Sequence, residues 1–320
     1  MTDIALIEAA AARLAGHARR TPMLSSPFLD DLAGRRVLVK AECLQHTGSF
    51  KFRGAWNAIS ALQPSGVIAF SSGNHAQGVA LAARLKGIPA TIIMPSDAPR
   101  IKIENTRALG AEVVLYNRAN EDRDAIGARL AAERGLALIK PFDMAEVIAG
   151  QGTCGLEIAE QAAEHGVETA DVLVCCGGGG LTSGIALALE GRAPGLRARP
   201  VEPEGFDDTA RSLAAGEIRV NARLTGSICD AIVTPRPGEL TWPILKRLCG
   251  PGLVVSEEQA LRAMALAHDR LKIVLEPGGA VALAAALFLP VEGEAVVAVA
   301  TGGNVDREMM QRALSLCGAA

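Results

Sequence analysis

Short runs of valine, isoleucine and leucine alternate along this chain with longer stretches whose apolar positions recur at helical spacing. "RRVLVKAE", "GVIAF", "ATIIMP", "AEVVLY", "LALIK", "DVLVCC", "GLVVS" and "AVVAVAT" predict strands. Between them "NHAQGVALAARLKG", "RIKIENTRALG", "EDRDAIGARLAAERG" and "LTSGIALALEG" predict helices, each closing on a glycine suited to a C-cap. "MTDIALIEAAAARLAGHARR" reads as an ordinary first helix, and Ser256 with Gln259 forms a capping-box pattern ahead of another. Strands that are apolar almost throughout, separated by helices, predict an α/β fold with parallel sheets covered on both faces. So many strands predict two units. Residues 66–144 hold four strand–helix alternations and predict a small domain, inserted into a large one formed by residues 1–65 and 145–320.

Composition narrows the function classes. A net charge of -3 over 320 residues offers no basic face for nucleic acid or a membrane surface, and aromatics at 3% provide few stacking platforms. The longest apolar stretch, "AVALAAALFLPV", is about a dozen residues, short of the ~20 that a membrane span needs. Seven cysteines, with no CxxC pair, predict reduced thiols and a cytoplasmic location.

Candidate chemistry gathers where strands end. "VIAF" runs into "SSGNH", "DVLVCC" into "GGGGLTSG", and "AVVAVA" into "TGGN". Ligands of open α/β sheets bind at the carboxyl ends of strands, where glycines expose amides and the next helix aims its N-terminus. A dinucleotide fingerprint is absent: after Gly178-x-Gly180 the third glycine position holds Ser183, and no acidic residue follows at the ribose distance. A single phosphate suits the tetraglycine turn better. "TGSFKFRG" then places Lys51 between Phe50 and Phe52. Alone, that segment reads as an amphipathic stretch with Lys51 and Arg53 solvated. Beside a phosphate nest it reads as a desolvated amine suited to Schiff-base chemistry.

Together, "TGSFKFRGA", "SSGNHAQG", "GGGGLTSG", "EPGGAVALAA" and "TGGNVD" occur in the order seen in fold-type II pyridoxal-phosphate enzymes. The chain most resembles the serine/threonine dehydratase and serine racemase branch, which includes 3-hydroxyaspartate dehydratases. The resemblance implies a tryptophan synthase β-like fold, two parallel-sheet α/β domains with the cofactor in the cleft between them. Lys51 would carry pyridoxal 5'-phosphate and act as the catalytic base, with Phe50 packed on the ring. Gly177, Gly178, Gly179 and Gly180, with the Leu181 amide, would cradle the phosphate. Asn74, Glu276 and Thr301 would complete the cofactor site, Thr301 at the pyridine nitrogen. Ser71, Ser72, Gly73 and His75 would line the substrate-carboxylate loop, and Ser72 stands where the racemase has its second proton carrier. Glu202, the Phe206 carbonyl and Asp208 would bind magnesium or calcium.

Several positions depart from the family pattern. The usual "ADG" turn reads Cys229-Asp230-Ala231, and Phe142 replaces a commonly polar residue. Thr234 and Arg236 border the expected substrate side, and Arg123 matches an inter-domain arginine of the racemase. The expected activity is an ammonia-lyase that removes water from L-threonine or L-serine. The alternatives are 3-hydroxyaspartate, whose second carboxylate Arg123 or Arg236 would meet, and serine racemisation. A homodimer acting on a small amino acid is the expected assembly.

Overall fold

Alternate residues of the central strands face two separate cores, as a sheet buried on both sides requires. The computed structural model describes residues 2–71, 73–98, 100–117 and 119–317. The chain begins with α1 (Ile4–Leu14), β1 (Met23–Leu24), α2 (Pro27–Ala33), β2 (Arg36–Lys40) and α3 (Lys51–Leu62). It continues through β3 (Val67–Phe70), α4 (Asn74–Lys86), β4 (Ala90–Pro95), α5 (Arg100–Ala108), β5 (Glu112–Tyr116), α6 (Arg123–Arg134) and β6 (Ala137–Leu138). Next come α7 (Ala145–Glu164), β7 (Ala170–Cys175), α8 (Gly180–Arg192), β8 (Leu196–Pro203), α9 (Asp208–Ala215) and α10 (Trp242–Leu248). The last elements are β9 (Leu253–Val255), α11 (Glu257–Leu266), α12 (Pro277–Phe288), β10 (Ala295–Val299) and α13 (Arg307–Cys317).

Two sheets result. One has six strands in the order β1-β2-β10-β7-β8-β9, parallel except for β1, and the other has four parallel strands in the order β5-β4-β3-β6. In the larger sheet Val37, Val39, Leu173, Val296 and Ala298 face α11 and α12, while Leu38, Val172, Val174, Val297 and Val299 face α7 and α8. A third core joins the units: Val67, Ala69 and Ile92 of the smaller sheet share it with Ile7 of α1 and Phe52 and Trp56 of α3. The Ser256–Gln259 capping box forms as the sequence predicts.

Among the elements that the hydrophobic pattern did not announce, two run against it. In β8, Arg197, Arg199 and Pro200 interrupt the apolar run, yet the strand pairs with β7 along its length, and both arginines bind Asp171. Helix α7 carries Gly150, Gly152 and Gly155, residues that argue against a helix interior. Close packing explains one of them. A Cβ on Gly150 would lie 2.5 Å from the Arg53 carbonyl and 2.7 Å from the Asn57 Cβ, so α7 and α3 cross only because it is absent.

Arg53 is not solvated, as "FKFR" read alone would have it. It is 1% exposed. Its guanidinium donates to both Glu42 oxygens at 2.8 and 2.7 Å and to both Glu157 oxygens at 2.7 and 2.9 Å. Lys40, equally buried, donates to Glu157 (2.5 Å), Gln161 (2.8 Å) and the Thr21 carbonyl (2.8 Å). Two cations and two carboxylates thus balance in the interior, tying β2, α3 and α7 together. Burial alone would push the Glu42 carboxyl up, but Arg53 and Lys40 hold it below the usual carboxylate range. Arg53→Met should destabilise the fold by about 3–5 kcal/mol, because Glu42 would remain buried without its partner. Urea unfolding measures this, and a loss below about 1 kcal/mol would show that the network is not an anchor.

Candidate active site

The carboxyl ends of β2, β3, β7 and β10 converge on one cleft of about 230 Å³. From β7 the chain enters Gly177–Gly180 and then α8; from β10 it passes Thr301 and Asn304. The turns after β2 lead to a short bridge between Ser49 and Gly302, which sets Lys51 at the start of α3. From β3, Ser71 and Gly73 lead to Asn74 and His75 at the start of α4. All of these except Ser49 and Gly302 line the cleft. Each of the three glycine-rich turns seen in the sequence contributes to it.

Lys51 is half-buried. Its Nζ donates to the Pro141 carbonyl at 3.0 Å and lies 5.0 Å from the centre of the Phe50 ring. Burial lowers its pKa to about 8, with Cys175 and Glu276 opposing. An amine in that range is a free base in about a tenth of molecules at pH 7, far more than an ordinary lysine. His75 is buried, and its Nε2 donates to the Ile139 carbonyl at 2.8 Å. Burial, then the Lys51 charge, lowers its pKa to about 3, so the ring is neutral. Its Nδ1 then carries a lone pair with no partner among the described residues. A neutral imidazole in this tautomer can accept a hydrogen bond there but cannot donate one to a carboxylate.

Opposite Lys51 stands the tetraglycine turn. Gly179 has φ +89°, and a Cβ on it would lie 2.7 Å from Leu245. A Cβ on Gly178 would collide with the Phe142 ring, and one on Gly180 would reach within 2.6 Å of Gln151 Oε1. Among the described residues, no group engages the amides of Gly178, Gly179, Gly180 or Leu181, although Gly179 offers its carbonyl to Ser183. Free amides at the start of a helix form an anion seat. Gln151 Oε1 and Thr234 Oγ1, both on the wall, are likewise buried without partners among the described residues. Pyridoxal phosphate, the cofactor implied by the resemblance, fits this set: an amine of lowered pKa, an aromatic ring beside it, and a phosphate cradle closed to any side chain.

A polar chain completes the floor. Asn74 donates to Glu276 Oε1 at 2.5 Å and accepts from Asn304 at 2.6 Å; Asn304 also donates to the Thr47 carbonyl at 2.8 Å. Burial pushes the Glu276 carboxyl up to about 7, while its bond from Asn74 works the other way. Thr301 Oγ1 lies 3.2 Å from Cys175 Sγ.

Not every expected residue joins the cleft. Arg123 sits over the Phe70 ring at 5.3 Å and pairs with Asp124, and Arg236 pairs with Glu239; neither lines the cavity. Ser72 lies outside the described residues. Glu202 accepts from the Thr209 and Ala210 amides at 2.9 and 2.7 Å, and Asp208 accepts from Asn221 at 2.5 Å. Burial pushes Glu202 up to about 8, with Asp208 adding to it, and pushes Asp208 up to about 7. The Phe206 ring is buried in the turn between them, and no group of three or more His, Cys, Asp or Glu among the described residues is arranged for a metal. Lys102, Gln151, Cys175 and Asn304 line the cleft without having been singled out. Asn304 lies in the quoted "TGGNVD", so only its role was overlooked. Lys102 sits in a helix whose pattern marks no inward face.

If the amide cradle is the phosphate seat, Gly178→Ala should weaken pyridoxal phosphate binding by about 10- to 100-fold, the scale of a lost charge-assisted hydrogen bond. Adding Phe142→Ala should restore part of the affinity by freeing the space. Cofactor titration followed by absorbance measures both, and an unchanged Kd for Gly178→Ala would remove the turn from the site.

Comparison with known proteins agrees with this geometry. The chain matches the pyridoxal-phosphate dependent enzyme family over residues 14–302. It is 45% identical over 305 residues to an L-threo-3-hydroxyaspartate ammonia-lyase from Pseudomonas sp, covering 93% of this chain and 94% of that one. A serine racemase from Oryza sativa subsp. indica is 39% identical over 323 residues, with 98% and 94% covered. Among solved structures, the T.th. threonine deaminase superimposes with a TM-score of 0.90 at 45% identity, over 95% of this chain and 99% of that one. Fold, cleft and similarity converge: this chain belongs to the fold-type II, pyridoxal-phosphate dependent enzymes.

Proposed function

We propose that the protein is an ammonia-lyase that removes water from a β-hydroxy-α-amino acid, the released imine hydrolysing to a keto acid and ammonia. The observation that carries this reading is Lys51. Its amine has a pKa lowered to about 8 and faces, across one cleft, a row of helix-starting amides that no described residue engages. When bound, pyridoxal phosphate supplies an electron sink for the pair left at the substrate Cα. The amides of Gly178, Gly179, Gly180 and Leu181 would hold its phosphate, Phe50 its ring face, Asn74 and Glu276 its ring edge, and Thr301 its ring nitrogen. A hydroxyl at that nitrogen donates less effectively than an acid would, which favours prompt loss of a leaving group over prolonged carbanion storage.

Lys51 would take the Cα proton: its amine, lowered to about 8, lines the cleft beside Phe50, whereas Glu276 is held by Asn74 at the floor. The α4 N-terminus would hold the substrate carboxylate through the backbone amides of Asn74 and His75, because His75 Nδ1 can only accept and the Ser71 and Gly73 amides already donate to the Ile93 carbonyl and Ser71 Oγ. The unit at 66–144 would close over the substrate and exclude water. Glu202, the Phe206 carbonyl and Asp208 would hold magnesium or calcium; the buried Asp208 Oδ2, which has no partner among the described residues, supports a cation there. A homodimer is the assembly that the resemblance implies.

L-Threonine and L-serine are the default substrates. Similarity to two L-threo-3-hydroxyaspartate ammonia-lyases, at 45% and 42% identity, favours 3-hydroxyaspartate as the second reading. A panel of L-threonine, L-serine and the hydroxyaspartate diastereomers, monitored for ammonia with and without magnesium, tests the proposal. Ammonia from at least one is expected, faster with magnesium, and Lys51→Ala should lose at least about 10³-fold in kcat. Ammonia from none, or a Lys51→Ala variant that keeps its rate, would refute the reading.

A further inference from the structure

Two charged side chains on the cleft wall take no part in the chemistry above. Lys102, on α5, belongs to the four-stranded unit; Asp230, in a 3-10 turn at Asp230–Ile232, belongs to the six-stranded one. Their Nζ and Oδ2 atoms stand 3.5 Å apart across the cleft. The Asp230 side chain is 70% exposed and that of Lys102 only 26% exposed. Water therefore screens the pair on the aspartate side, and so loose a contact holds the ammonium weakly.

Among the described residues lining the cleft, the cationic side chains are Lys51 and Lys102. Lys51 is committed to the chemistry. Arg123 and Arg236, the two cations that the sequence offered for a second carboxylate, are engaged elsewhere. The anionic groups facing Lys102 are Asp230 and Glu276, and Asn74 already holds Glu276 Oε1. An amino acid fixed by its α-carboxylate at the α4 N-terminus turns its side chain toward the remaining wall. A methyl group there would leave Lys102 to its weak partner, whereas a carboxylate would give it a strong one.

Resting on the ammonia-lyase reading, we infer that Lys102 is the specificity-determining cation for a distal carboxylate. The preferred substrate class is then a β-hydroxy dicarboxylic amino acid, with Asp230 keeping the ammonium in place when no such substrate is bound.

Two arms test this on the cofactor-loaded protein. In the first, Lys102→Met should lower the ratio of kcat/KM for L-threo-3-hydroxyaspartate to that for L-serine by about 10- to 100-fold, and Lys102→Arg should restore most of it. In the second, calorimetry with succinate, a dicarboxylate that cannot react, should show binding weakened by about tenfold or more in Lys102→Met. An unchanged ratio, with both substrates falling in parallel, would mean a cross-cleft structural pair only and would overturn the assignment. Wild-type protein that releases no ammonia from L-threonine, L-serine or any hydroxyaspartate diastereomer would refute the underlying reading. The succinate arm then decides for Lys102 by itself: weaker binding in Lys102→Met supports the site, and equal binding overturns it.

Discussion

A guanidinium held in the interior by two carboxylates organises this molecule. Arg53 cannot leave its contacts with Glu42 and Glu157 without stranding buried charge, and those partners belong to different parts of the chain. Glu42 follows β2, Glu157 lies on α7, and Arg53 is two residues from Lys51. The start of α3 is therefore fixed against both, and Lys51 has little freedom in where it emerges. Lys40 shares Glu157 and keeps the cluster neutral.

From that fixed point the chemistry of the cleft follows by desolvation. Phe50 and the carbonyl of Pro141 surround an amine that water would otherwise keep fully charged. The same burial leaves His75 neutral and pushes Glu276 up to about 7, so the floor can hold a proton without carrying much fixed charge. Across the cleft, the tetraglycine turn offers amides because no side chain fits there. Positive character thus comes from the helix start and from the lysines, while the neighbouring carboxyl is partly protonated. A ligand with an anionic end and a carbonyl end suits that arrangement.

Much of this was legible in the sequence because it depends on local rules. Strand-terminal glycines announced the cleft, and the run Gly177–Gly180 announced a turn on its wall whose amides no described residue engages, since turn geometry and close approach are properties of the residues themselves. The burial of Arg53 was not legible. Its partners lie 11 and 104 positions away, and "FKFR" alone cannot tell a solvated arginine from an anchored one. The same limit hid β8, whose Arg199 is neutralised by Asp171 on a neighbouring strand. It also exchanged the candidate cations at the substrate end: Arg123 and Arg236 were prominent in the sequence, yet tertiary placement brought Lys102 to the wall instead.

The central claim is that the fold delivers one dry amine, that of Lys51, to a phosphate-bearing aldehyde. Borohydride reduction of the protein loaded with pyridoxal phosphate, followed by peptide mapping, tests it most directly. The expected result is a single pyridoxyl phosphate adduct on the peptide containing Lys51, with labelling strongly reduced in Arg53→Met. An adduct on Lys102 or another lysine, or no adduct in protein that has taken up the cofactor, would contradict it.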